Sequence, residues 1–137
     1  MFESGAQNPS SLINIRKAEK MYEQIRKRKT DVIHVSNNTG FSIEQCQIIK
    51  NYAFVNMHML HDGYRAFFPD FAMASSWMRL SEKSGKNIKK HDVIMLYHEL
   101  YEIQLLISNK SMNQRAAHDE ATKKYNYSLA CKIYYGM

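Results

Sequence analysis

The sequence predicts an all-α fold: a compact, single-domain bundle of about five helices around a central apolar helix, with minor strand content. Three observations predict it. In residues 92–107, Val93, Leu96, Leu100, Ile103 and Ile107 form one helical stripe while Met95, Leu105 and Leu106 lie off it, so this helix is apolar nearly all round and belongs mid-domain. Ser42 with Gln45, and Ser111 with Gln114, have capping-box spacing ahead of helical periodicity. Runs with a period of two are scarce.

The first element expected is a loose lead-in over residues 1–9, marked by Gly5, Asn8 and Pro9. Residues 10–137 follow as one domain, since 137 residues, 45% of them hydrophobic, suffice for one core and are short for two. Ser10 or Ser11 caps a first helix to about Lys29 with Leu12, Ile15, Ala18, Tyr22 and Ile25 inward. A short extended piece at Val32–Val35 and a turn ending at Gly40 come next. The helix opened by Ser42 is expected to run through Ile48, Ile49, Tyr52, Val55 and Met59 to about Leu60, with His58 and His61 at its end, and Gly63 breaks it. Those histidines read as helix-end residues in preference to a metal pair. Pro69 suits the first turn of a third helix, with Phe67, Phe68, Phe71 and Trp77 in the core. Residues 81–90 form an exposed, lysine-bearing loop, and Ser111 opens the helix after the central one. The last residues read as a helical turn plus a strand-like tail.

Composition and charge narrow the class. No apolar run approaches membrane-spanning length, the start lacks the pattern of a signal peptide, and Cys46 and Cys131 stand alone as expected core thiols. The net charge of +6 is uneven: residues 16–29 carry seven basic side chains against Glu19 and Glu23. Arg16, Lys17, Lys20, Arg26 and Lys27 therefore form a candidate surface for a nucleic-acid backbone, with a solvated helix face as the plainer reading.

The candidate chemistry lies on the central helix. His98 and Glu102 are one turn apart on a single face, Glu99 is rotated about 100° from His98, and ionisable groups in so apolar a setting require partners, a metal or a catalytic role. His98-Glu99-x-x-Glu102 is one residue from the H-E-x-x-H of zinc hydrolases. In that reading His98, Glu102 and His118 bind zinc or another divalent metal and Glu99 activates water, making a zinc-dependent peptidase. The same residues suit metal-free phosphodiester cleavage, with His98, Glu102 and His118 as acid and base and Arg115, Lys123 or Lys124 facing the phosphorane, and this finds work for the basic helix. A third reading is a buried network that only joins two helices, leaving a non-catalytic basic binding module. Among these the sequence favours a nucleic-acid hydrolase, RNA before DNA.

Asp92, Leu96, His98, Glu99 and Glu102, followed by Ala117, His118 and Ala121 and then by Tyr125 and Tyr127, resemble a helical domain found at the C-termini of phage head-morphogenesis (minor head) proteins and bacterial polymorphic toxins. Phe54, His58 and Trp77 extend the likeness over roughly residues 32–127; the basic first helix lies outside it. The resemblance implies an effector module delivered as part of a larger protein into the cytoplasm of a target or host bacterial cell, beside a dedicated immunity protein.

Overall fold

The computed structural model describes residues 8–137, so most of the expected lead-in lies outside the described residues. The order is α1 (Leu12–Lys27), α2 (Asp31–Thr39), α3 (Ile43–Lys50), a π-helical turn (Asn51–Val55), β1 (Met57–Leu60), β2 (Gly63–Ala66), α4 (Phe71–Leu80), α5 (Lys90–Ser108), α6 (Gln114–Lys124) and α7 (Tyr127–Tyr135). The mostly α, single-domain prediction holds, with seven α-helices among the described residues where about five were expected. The central helix is α5, against which α3, α4, α6, α7 and the π-helical turn all pack.

Covering α5 on several sides changes which of its residues are inside. Leu96 and Ile103 are buried as expected, but Ile107 is exposed, and His91, Asp92, His98, Glu99 and Glu102 are buried with Met95. Asp92 caps its own helix by accepting from Lys89 N and holds Arg79 through two bonds of 2.8 Å. Arg79 also donates to His91 Nε2. The core proper joins Tyr22 and Ile25 of α1, Val32 and Val35 of α2, Ile49, Phe54, Trp77, Leu80, Met95 and Leu96.

Several local expectations are corrected. Ser11 caps α1 as predicted, but the buried residues are Asn14, Ala18, Tyr22 and Ile25, while Leu12 and Ile15 face solvent. Asn14 donates to Asn8 O and ties the helix start to the chain before it. Val32–Val35 is helical, since β-branched propensity yields to the burial of Val32 and Val35, and Gly40 ends α2 at φ 84. The capping box of Ser42 and Gln45 is present, with both bonds at 3.0 Å, yet its helix stops at Lys50. A wider turn, closed by Asn56 N on Asn51 O, follows, and the chain then enters an antiparallel hairpin with Met57 opposite Ala66 and Leu60 opposite Gly63. His58 and His61 therefore sit on or beside the hairpin, not at a helix end.

Downstream, Pro69 lies before α4 and not in its first turn, and Asp70 caps the helix by accepting from Met73 N. Asn113, not Ser111, caps α6 by accepting from Ala116 N, which frees Gln114 to turn inward. Of the four aromatics placed in the core, Trp77 is buried, Phe67 and Phe71 are half-buried and Phe68 is exposed beneath the Arg65 guanidinium at 3.6 Å. The tail is a helix, α7, because Cys131 and Tyr135 have an apolar surface to cover beside Ala72. The loop after α4 exposes its lysines as expected, but Asn38 holds its first residues by donating to Leu80 O and Glu82 O. Both cysteines are free and buried, and burial pushes each thiol up to about 11, so they are inert core thiols.

A second buried polar network, unforeseen in the sequence, fastens α1, α2, α3 and α4. Lys50 Nζ donates to Asp31 Oδ1 at 2.9 Å and to Arg28 O at 2.7 Å. Trp77 Nε1 donates to Asp31 Oδ2 and Val32 N to Asp31 Oδ1, so the buried carboxylate is answered on both oxygens.

Candidate metal centre and cleft

α5 and α6 run side by side, and their contact brings His118 back onto the His98 turn. Small residues at Ala117 and Ala121, both fully buried, let the two backbones approach. Glu102 Oε1 then lies 3.2 Å from His98 Nε2 and 3.0 Å from His118 Nδ1, and the two ring nitrogens are 3.3 Å apart. A tetrahedral ion with bonds of about 2.0–2.1 Å has ligand-to-ligand edges of about 3.3 Å, so this triangle has the dimensions of one face of a zinc coordination shell. The three side chains could hold a metal ion.

Each member is aimed by a neighbour. Tyr125 O lies 3.0 Å from His98 Nδ1, and a carbonyl only accepts, so Nδ1 carries a hydrogen and Nε2 is the nitrogen turned toward Glu102, donating to it when the ring is protonated and free to ligate when the ring is neutral. Such a carbonyl behind an imidazole is the usual support of a metal-binding histidine. Tyr52 donates its phenol to Glu102 Oε2, as does Gln114 more weakly at 3.4 Å, leaving Oε1 for the histidines. Sequence reasoning missed both: Tyr52 reads as a stripe residue and Gln114 as half of a capping box. The signal that a buried carboxylate needs two answered oxygens was present without saying which donors answer it.

Electrostatics separate the two glutamates. Burial pushes Glu102 upward, but hydrogen bonds from His118, His98 and Tyr52 outweigh it and bring it down to about 2. Burial and the nearby charges of Glu102 and Asp70, against a smaller opposing effect of His98, raise Glu99 to about 8. His98 is lowered by burial and raised by Glu102, Glu99 and the Tyr125 carbonyl, with a net rise, and His118 rises chiefly through its bond to Glu102. Without an ion, the triangle is held by these protons; a divalent cation would replace them.

The cluster opens outward. His98 and Glu102 are buried, but the His118 side chain is 48% exposed. A cleft of about 700 Å³ is lined by Glu99, Glu102 and His118 together with residues of the hairpin, and a second of about 370 Å³ is lined by His98, Glu99 and His118 together with α7. Glu99 is buried, borders both clefts and, among the described residues, makes no hydrogen bond through its carboxyl group.

Of the other predicted site residues, Arg115 lines the larger cleft beside His118, 80% exposed and paired with Asp119. Lys123 pairs with Glu120 and Lys124 lies over the Tyr101 ring, and neither lines a cleft. Arg16, Lys17, Lys20, Arg26 and Lys27 are exposed on α1 and line neither cleft, and Arg26 donates to Phe54 O. His58 is held by Tyr52 O at 2.7 Å and stacks on Phe67, while His61 lies on the rim of the larger cleft. No helix among the described residues is long and apolar enough to cross a membrane. Comparison with protein-family models, with characterised proteins and with solved structures finds no match.

Proposed function

We propose that this domain is a metal-dependent hydrolase in which His98, Glu102 and His118 hold a divalent cation of the zinc class and Glu99 moves the protons. The observation that carries the reading is the convergence of three ligating atoms within 3.3 Å, beside a carboxyl group that borders two clefts and has no hydrogen bond among the described residues. The cation would polarise water and the scissile group. Glu99 takes a proton from that water and returns it to the leaving atom, a role suited to a carboxyl group poised near neutrality. His98, oriented by Tyr125 O, and Glu102, oriented by Tyr52 and Gln114, set the position of the reacting oxygen. The metal-free phosphodiester mechanism has less support, since Arg115, Lys123 and Lys124 are engaged elsewhere.

The motif likeness supports a toxin-type effector, delivered as part of a larger protein into a bacterial cytoplasm and restrained by an immunity protein. Nucleic acid is the second substrate reading, favoured by the exposed cations of α1. The test is metal stoichiometry and hydrolysis with one preparation. Chelated protein given zinc should bind one ion per chain, His118→Ala should bind it far more weakly, and Glu99→Gln should keep the ion but lose hydrolysis and growth arrest on expression in bacteria. Protein that binds no zinc at micromolar concentration, or a Glu99→Gln variant as active as the parent, refutes the proposal.

A further inference from the structure

Resting on the metal-hydrolase reading, we infer that the substrate is an extended polypeptide, laid through both clefts and cut internally, with a bulky apolar side chain seated against the hairpin wall. The first observation is continuity. Asp70, Met73, Glu99 and His118 line both clefts, so the two adjoin at the cluster, one bordered by the hairpin and the other by α7. A terminal-residue or small-molecule hydrolase needs one blind pocket; a groove open on both sides of the reacting atoms suits a chain cut in its interior.

The second observation is the chemistry of the walls. Met59, Leu60, Phe67, Phe68 and Met73 line the larger cleft, and Met59 and Phe68 are 72% and 69% exposed, apolar groups left in water at its mouth. A nucleic-acid groove needs cations that track phosphates. The arginines of the larger cleft, Arg65 and Arg115, are bound to Asp62 and Asp119, the smaller cleft adds only Lys132, and Asp70 borders both.

The third is the hairpin itself. Among the described residues β1 pairs with β2 alone, packs beside the helix that carries His118, and contributes Met59 and Leu60 to the wall. An unpaired strand edge at a cleft offers main-chain groups to an extended peptide, while alternate side chains of that peptide find pockets. The chemistry balances with water alone. The water oxygen bonds to the peptide carbonyl carbon, one of its protons passes by way of Glu99 to the amide nitrogen, the C–N bond breaks, and the second proton passes from the new carboxyl group to the amine, so that a carboxylate and an ammonium leave.

The experiment uses the zinc-loaded domain with denatured casein and with a peptide library blocked at both ends, and cleavage sites are read by mass spectrometry. Internal cuts are expected, with Phe, Leu or Met enriched on one side of the scissile bond. In Phe68→Ala and Met59→Ser, whose parent side chains are exposed and so leave the core intact, the kcat/KM preference for bulky apolar over alanine peptides should fall about tenfold with zinc content unchanged. End-trimming only, cuts without side-chain preference, or blocked peptides left whole by protein holding one zinc would overturn the inference, as would RNA cleavage by a preparation that spares peptides. Failure to bind zinc is a separate result and removes the hydrolase reading on which the inference rests.

Discussion

Replacing Glu99 with Gln keeps the shape of the side chain and removes its proton equilibrium. In the chelated, folded domain Glu99 is raised from 4.5 to about 8, through burial first and the charges of Glu102 and Asp70 second. Between those values the folded chain keeps a proton that the unfolded chain has lost, so rising pH favours unfolding. The contribution is fully present below pH 4.5 and is lost as pH climbs through the folded pKa. At about 1.4 kcal/mol per pH unit the wild-type domain should lose about 3 kcal/mol relative to Glu99→Gln by pH 7, with a ceiling of about 5 kcal/mol above pH 8. Urea unfolding of both proteins in chelator, from pH 4.5 to 9, measures this directly. The stability difference should widen in favour of the variant up to about pH 8 and then stay level. A difference that is the same at pH 5 and pH 9 refutes the assignment of Glu99 as a buried, unpartnered acid. With zinc added the gradient should shrink, because a nearby dication favours the carboxylate.

Two further outcomes follow from the same coordinates. Tyr52→Phe removes the phenol that fixes Glu102 Oε2 but keeps the ring packed edge-on against His58 and Phe67, so zinc affinity should fall about 10- to 100-fold in competition with a chelating dye, and an unchanged affinity would deny Tyr52 a positioning role. Lys50→Met leaves the Asp31 carboxylate buried without its cation and should cost about 3–5 kcal/mol in urea unfolding. Adding Asp31→Asn to that variant should restore much of the loss, and no recovery would show that the two groups are not coupled.

Much of the fold was legible because local signals and packing agree. Ser11 and Ser42 cap helices as their spacing announces, the chain turns at Gly40, and the greasy run around Leu96 lies at the centre. Where they disagree, packing wins. Val32 and Val35 are helical despite their β preference, and Leu12 and Ile15 are outside because periodicity sets the spacing of a stripe more firmly than its angle about the axis. The hairpin was hidden because the apolar residues before it continue a helical pattern, and only the widened turn at Asn51–Val55 breaks the ladder.

For the site, the sequence alone determined that His98, Glu99 and Glu102 share two turns of one buried helix, since helical spacing sets that, and the cost of isolated charge leaves each to be answered by a partner or by its own proton. Which partner reaches which atom was decided by the tertiary structure. His118 meets Glu102 Oε1, Tyr52 and Gln114 take Oε2, Tyr125 O takes His98 Nδ1, and Glu99 is left facing a groove whose far wall comes from a hairpin. The physical reason is reach: periodicity constrains neighbours within a turn or two, whereas a contact between residues 52 and 102 depends on how whole elements pack.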